Sequence, residues 1–165
     1  MANPLFQTTT TYSYSEYKKF SDVVYQKMNL RQPMAQSITS ILLLMAGIIQ
    51  LRSNGLFAAM PYILLSVFIP LIFRFVQGLT VKKLYNSNPS VQDAVLTISF
   101  YSDYVEQRSD KLKTMTIAYN SILRVVETKT NFYIMASKNK GIMVVKDNCS
   151  PQLIEYLSKL KKAKG

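Results

Sequence analysis

The chain has 165 residues, 48% of them hydrophobic, a formal charge of +11, one cysteine and no histidine. This length allows one domain and a small additional element. The absence of histidine excludes Ser-His and Cys-His nucleophile pairs and histidine metal sites, and a single cysteine excludes an intrachain disulfide and fits a reducing cytoplasm.

The first 33 residues predict a strand followed by a helix. Residues 6–14 are rich in threonine and tyrosine, which favour strands. Ser13 and Glu16 have the spacing of a capping box at a helix start. After them, side chains with apolar character recur at helical intervals at Tyr17, Phe20, Val24 and Met28. This apolar face is narrow, so we expect the helix to pack on the later domain rather than lie along a bilayer.

Residues 34–51 and 56–73 are two uncharged, largely apolar segments separated by Arg52, Ser53, Asn54 and Gly55. Each has about 18 residues and as a helix would be roughly 27 Å long, close to the thickness of the hydrocarbon core of a bilayer. Ser-Asn-Gly is typical of a turn. The pattern therefore predicts a transmembrane hairpin over residues 34–73, followed by a juxtamembrane linker over residues 74–90.

The basic residues near the two segments predict the orientation of the hairpin. Arg52 is the only one in the loop between them, and five flank the pair: Lys27, Arg31, Arg74, Lys82 and Lys83. By the positive-inside rule, both termini are expected in the cytoplasm of a protein that crosses the cell membrane twice.

Residues 91–165 predict a domain of short strands closed by a helix. The strands are predicted at residues 94–101, 104–109, 113–118, 123–129, 132–137 and 141–146. Their close spacing predicts antiparallel hairpins. Ser150 and Pro151 have the N-cap and first helical positions, and the apolar face after them comprises Leu153, Ile154, Leu157 and Leu160. The expected fold is an α+β domain, a small antiparallel barrel or sandwich, and whether residues 6–14 add a strand stays open.

The order of these features resembles the YcxB-like family, bacterial membrane proteins with two spanning helices before a characteristic C-terminal domain. The resemblance rests on Ser15-Glu16-Tyr17, Leu96-Thr97-Ile98, the segment Tyr-Asn-Ser-Ile-Leu-Arg-Val-Val-Glu-Thr at residues 119–128, and Asn131-Phe132-Tyr133-Ile134. One departure is Asn120-Ser121, where the family often has an aromatic residue. The resemblance implies a pleckstrin-homology-like fold and supplies no catalytic residues.

The remaining candidates for catalysis are weak. Asp103 and Asp110 fall at predicted turns, where aspartate is common because it bonds to its own backbone. Glu127, on a predicted strand between Arg124 and Lys129, is expected to form a solvated ion pair. Neither apolar segment contains a charged residue, so a pathway for protons or ions is not expected. We therefore expect no enzyme activity, no cofactor and no metal.

Binding is the remaining class of function, and two hypotheses follow. The first is an adaptor that recognises another protein at the membrane, through a sheet edge or loop. The alternative is direct binding of anionic lipid headgroups by exposed lysines, although terminal lysines also favour a helix dipole. The lysines in question are Lys82, Lys83, Lys138, Lys140, Lys159, Lys161, Lys162 and Lys164. Nucleic acid is not expected, since Tyr101, Tyr104, Tyr119 and Tyr133 are typical of half-buried strand positions.

Overall fold

A computed structural model describes residues 3–164 of the chain. The elements in chain order are β1 (Phe6–Thr11), α1 (Tyr14–Val23) with a π-helical continuation (Val24–Met28), α2 (Arg31–Asn54), α3 (Leu56–Asn86), β2 (Val95–Phe100), β3 (Tyr104–Arg108), β4 (Met115–Ala118), β5 (Arg124–Glu127), β6 (Asn131–Met135), β7 (Gly141–Val145) and α4 (Pro151–Lys164). The chain divides into two units: Asn29–Lys83, called the hairpin unit, and the residues up to Met28 together with those from Leu84 onward, called the strand domain.

The hairpin unit contains two helices that are long and apolar enough to span a membrane. Gly55 is the single residue between them. Its φ is +81°, a backbone conformation that favours glycine. Gly47 and Ala59 are buried between the helices, whereas most of the large apolar side chains of the unit are exposed. Because α3 continues to Asn86, most of the segment predicted as a linker over residues 74–90 is helical.

The first sheet of the strand domain has the order β1-β2-β3-β4 and is antiparallel throughout. Strand β1 pairs with β2 over its full length, with Thr8 opposite Ile98. The N-terminal strand therefore does join the sheet of the C-terminal domain, although the hairpin unit separates the two in sequence. The strand ends at Thr11 rather than residue 14, because Ser13 caps helix α1.

The second sheet has the order β5-β6-β7, and both of its faces are covered. One face shares a core with the first sheet and with Leu153 and Leu157 of α4. The other face, which includes Tyr133 and Met143, packs against Phe20 and Val23 of α1 and the turn after it. The expectation that the first helix packs on the domain is therefore confirmed. The two sheets form separate hydrogen-bonded ladders, so the part of the chain that the structure describes contains no closed barrel.

Both helix starts in the strand domain have the predicted caps. The Glu16 backbone N–H donates to Ser13 Oγ at 3.4 Å, and the Leu153 N–H donates to Ser150 Oγ at 3.3 Å. Each cap gives one of the free N–H groups of the first helical turn a partner. The caps fix where α1 and α4 begin, and hence which of their faces meet the sheets.

Candidate binding surface

Two of the four sheet edges in the strand domain cover each other. Along the β1 edge, Asn148 Nδ2 donates to the Thr9 carbonyl at 2.8 Å. The Thr8 hydroxyl donates to the Asn148 carbonyl at 2.7 Å. Along the β7 edge, the Val145 N–H donates to Thr10 Oγ1 at 3.4 Å. One outward carbonyl of β1, that of Thr9, and one outward N–H of β7, that of Val145, therefore have partners within the domain.

The β5 edge is covered by helix α4, and one of the two ion contacts of Glu127 joins the helix to the strand. Lys161 Nζ of α4 lies 2.9 Å from Glu127 Oε2, and Lys146 Nζ lies 2.7 Å from Glu127 Oε1. Hydrogen bonds from Lys146 and then Lys161 lower the pKa of the Glu127 carboxyl. Glu127 is thus an ion-pair residue as predicted, but its partners come from distant parts of the chain rather than from Arg124 or Lys129.

The β4 edge is the bare one. The Tyr119 N–H donates to the Asp103 carbonyl at 3.0 Å, and the register continues with Ile117 opposite Val105. In an antiparallel ladder the residues between those bonded positions direct their N–H and C=O groups to the other side. Thr116 and Ala118 therefore face away from β3, and their backbone groups have no hydrogen-bond partner among residues 3–164.

On the face of the first sheet that points away from the core, the side chains of β4 are small, whereas those of the neighbouring strand β3 are long. Ala118 stands opposite Tyr104, and Thr116 stands opposite Glu106. Arg108 lies two residues beyond Glu106 on the same face, with its Nε 3.0 Å from Glu106 Oε2 and its side chain 68% exposed. Continuing the register by two residues places Thr114 beside Arg108. Long side chains of β3 can therefore extend over the short ones toward the free edge.

The two ends of the β4 edge differ in chemistry. At the β2–β3 turn, the ring of Tyr101 stacks on that of Tyr104 with centroids 4.6 Å apart. The Tyr119 hydroxyl donates to the Tyr101 carbonyl at 3.0 Å and so anchors this turn. At the other end, the loop between β3 and β4 carries the exposed Lys111 and Lys113, with one exposed carboxylate, Asp110, beside them. The edge thus runs from an aromatic end to a basic end.

Within the strand domain, the lysines proposed for lipid contact lie in different places. The strand order places the loop with Lys138 and Lys140 at the end of the second sheet opposite to Glu127, where Lys161 is bound. Lys159 is paired with Glu155 at 2.8 Å. Lys162 and Lys164 occupy the last turns of α4, and Lys82 and Lys83 belong to the hairpin unit.

The two aspartates considered for catalysis, the single cysteine and one of the tyrosines lie in turns or in half-buried or buried positions. Asp103 and Asp110 lie in the turns on either side of β3. The Cys149 thiol donates to the Val145 carbonyl at 3.2 Å, and burial raises its pKa. No group of three or more His, Cys, Asp or Glu side chains suited to a metal occurs in the described part of the chain. Tyr133, one of the tyrosines considered for base stacking, is fully buried.

The bare edge itself was not predicted. Thr114, Met115, Thr116, Ile117 and Ala118 alternate in the way expected of a half-buried strand, and that signal gave the strand correctly. The alternation says which face is buried but not which neighbour is missing, because edge and central strands of one sheet can share the same pattern. The small residues on the outward face were the available hint.

Comparison with known proteins gives one match. Residues 100–160 match the family model described as YcxB-like protein. These residues run from the end of β2 through β3 to β7 and most of α4, and over them the resemblance inferred from the sequence is confirmed. No curated protein and no solved structure matches the chain.

Proposed function

We propose that this chain is a membrane-anchored, non-enzymatic binding protein whose strand domain recognises an extended segment of another protein along the β4 edge. The observation that carries the proposal is that β4, unlike the other three edges in the described strand domain, is not covered: β5 lies against α4, and β1 and β7 lie against each other and the turn after β7. An extended segment that adds to this edge gains backbone hydrogen bonds without requiring the domain to rearrange.

The contrast with the other edges supports this choice of surface. A bare edge is a template for unwanted pairing, and proteins usually block such edges with covering elements, charges, bulges or proline. Here β1, β5 and β7 are covered by side-chain bonds or by α4, whereas β4 carries Thr116 and Ala118 on its outward positions and no proline. An edge left open while the others are closed is expected where a partner strand binds.

We further propose that the strand domain is a pleckstrin-homology-like sandwich. A four-stranded and a three-stranded antiparallel sheet share one core, and a C-terminal helix closes it, which supports this assignment. In this arrangement the hairpin unit is an insertion between β1 and β2. A crystal structure in which α4 left the core shared by the two sheets would contradict the assignment.

Membrane attachment and orientation form the next part of the proposal. The hairpin unit exposes most of its large apolar side chains, which is unfavourable in water and expected in lipid. We propose that both termini lie in the cytoplasm, as the distribution of basic residues indicates. Since Cys149 is half-buried and bonded, its native thiol is a poor label.

Two exposed positions allow a matched labelling test in a Cys149→Ser background. Ser53→Cys, in the last turn of α2, is expected to react with an impermeant maleimide in intact cells. Asn139→Cys, in the β6–β7 loop, is expected to react only after the cells are permeabilised. The reverse pattern would contradict the cytoplasmic placement of the strand domain.

Site-specific photo-crosslinking tests the binding surface. A photoreactive residue at Thr116 is expected to give discrete crosslinked proteins in native membranes. The matched control replaces Thr11, an exposed threonine at the opposite edge of the same sheet. Equal products from both positions would indicate nonspecific capture and contradict the proposal.

The second candidate function is direct binding of anionic lipid headgroups. Lys138 and Lys140 are exposed and form no ion pair within the described residues, so their charges are available to an anionic surface. Each basic residue near an anionic surface contributes about 1 kcal/mol of attraction. If this alternative holds, the joint change of Lys138 and Lys140 to glutamate reduces the anionic lipid that co-purifies, and Thr116→Pro has no effect on it.

A further inference from the structure

We infer that the segment bound at the β4 edge carries an apolar residue and an acidic residue four positions apart. This inference rests on the proposed function and specifies the chemistry of the partner. It follows from the order of side chains behind the edge: Tyr104, Glu106 and Arg108 on β3, screened only by the smaller Ala118, Thr116 and Thr114 on β4.

The distances make contact between β3 and an added strand possible. Adjacent strands lie about 4.8 Å apart, so an added strand would lie about 10 Å from β3. Tyrosine and arginine side chains are long enough to cover most of this gap, and the partner's own side chains cover the rest. Alanine and threonine on the intervening strand leave the path open above the sheet. Specificity can therefore come from β3 while the backbone bonds come from β4.

The acidic position follows from the basic end of the edge. Arg108 is mostly exposed and stands beside Thr114, and Lys111 and Lys113 follow in the adjoining loop. A carboxylate beside Thr114 would accept charge-assisted hydrogen bonds from the Arg108 guanidinium, which already holds Glu106. A basic side chain at the same place would meet an excess of positive charge, because Glu106 and Asp110 offset only part of the charge of Arg108, Lys111 and Lys113.

The apolar position follows from the aromatic end. The stacked rings of Tyr101 and Tyr104 form a flat surface behind Ala118. A side chain beside Ala118 meets only a methyl group on β4 and can pack against the Tyr104 ring. Aromatic pairs of this kind are common anchors at protein interfaces because they bury a large area with few rotatable bonds.

The middle position separates these two requirements. A partner residue beside Thr116 lies next to Glu106, which is buried and accepts hydrogen bonds from Arg108 through both carboxylate oxygens. An acidic side chain there would compete with Glu106 for the Arg108 guanidinium, whereas a hydroxyl would not. Residues on one face of a strand are two apart, so apolar, polar and acidic residues fall at alternate positions and the first and last are four apart.

Selection from a random peptide display library on the full-length protein in nanodiscs tests the inference. A parallel selection on the Thr116→Pro variant removes peptides that bind elsewhere, because proline blocks strand addition without removing a ladder bond to β3. The expected peptides are sensitive to Thr116→Pro and have an aliphatic or aromatic residue four positions from Asp or Glu. Because Lys111 and Lys113 remain, Arg108→Gln is expected to weaken the acidic preference and Arg108→Glu to abolish it.

The outcomes distinguish this inference from the function on which it rests. Proline-sensitive peptides with no acidic preference, or with a preference that Arg108→Glu leaves unchanged, would overturn the inference while leaving the β4 edge as a binding site. If no selected peptide were sensitive to Thr116→Pro, strand addition at β4 would itself be contradicted.

Discussion

The Tyr85 hydroxyl, near the end of α3, accepts a hydrogen bond from the Asp93 backbone N–H at 3.1 Å, and Asp93 has a φ of +51°. The same hydroxyl lies 3.2 Å from the Tyr12 carbonyl. The rings of Tyr14 and Tyr17 pack beside that of Tyr85. This contact joins the end of α3 to the segment that leads into β2.

The Tyr85–Asp93 contact predicts the effect of two changes on stability. Tyr85→Phe removes the acceptor of a backbone N–H and is expected to lower the free energy of unfolding by about 1 kcal/mol. Asp93→Val forces a β-branched residue into the left-handed region and is expected to cost about 1–3 kcal/mol. Thermal melts of the full-length protein in nanodiscs measure both. Asp93→Gly, which adopts this φ without strain, is the control, and a loss as large as that of Asp93→Val would contradict the account.

The Glu127 ion contacts predict a dependence of stability on pH. Because its pKa is lowered in the folded protein, Glu127 stabilises the fold above its ordinary value near 4.5, and this contribution is lost as the pH falls through the lowered value. Glu127→Gln is expected to reduce stability at pH 7 by about 1 kcal/mol. The melting temperature of this variant should also fall less than that of the wild type as the pH is lowered.

The exposed Glu155–Lys159 pair on α4 provides the matched control for Glu127. Glu155→Gln removes one carboxylate from the same domain without releasing α4 from β5. An equal loss of stability from the two variants would show that Glu127 acts only through the net charge of the domain.

The close approach of α2 and α3 at Gly47 leads to a prediction about this residue. A Cβ at this position would lie 2.9 Å from Ile63 Cγ1 and 3.4 Å from Tyr62 Cβ. Gly47→Val is therefore expected to separate the two helices and lower the melting temperature of the protein in nanodiscs. Gly78→Ala, where nothing lies within 4 Å of the added Cβ, is the control and is expected to melt like the wild type.

Hydrogen exchange tests whether β4 is a bare edge in solution. The amides of Thr116 and Ala118 are expected to exchange rapidly, whereas those of Ile117 and Tyr119, which donate to β3, are expected to be protected. Amide-resolved exchange of the full-length protein in nanodiscs provides the measurement. Equal protection along β4 would mean that its outward groups already have partners.

The sequence predicted the local features of the strand domain well. The strands, the capped starts of α1 and α4 and the apolar face of α1 depend on neighbouring residues, whose periodicity and turn chemistry are visible in the chain. Pairing between distant segments was not predictable in the same way. Strand β1 meets β2 across the whole hairpin unit, and Glu127 meets Lys161 from 34 residues away.

The surface proposed for binding depends on distant pairing in the same way. Lysines near the end of a helix were visible as a candidate, yet Lys161 is held by Glu127 and Lys159 by Glu155. The free edge of β4 depends on the order of strands in the sheet, which alternation alone does not determine. Helix α3 was predicted too short because its polar last turns, up to Asn86, lack the apolar character used to detect the span.

The most direct test of the central claim compares two prolines on opposite edges of the first sheet. Thr116→Pro on β4 and Thr9→Pro on β1 each place proline at an outward-facing position, and both variants are first checked for wild-type melting. The account predicts that Thr116→Pro abolishes binding of the protein crosslinked at the β4 edge, while Thr9→Pro retains it. Binding that survives Thr116→Pro in a folded protein would contradict recognition by strand addition at β4.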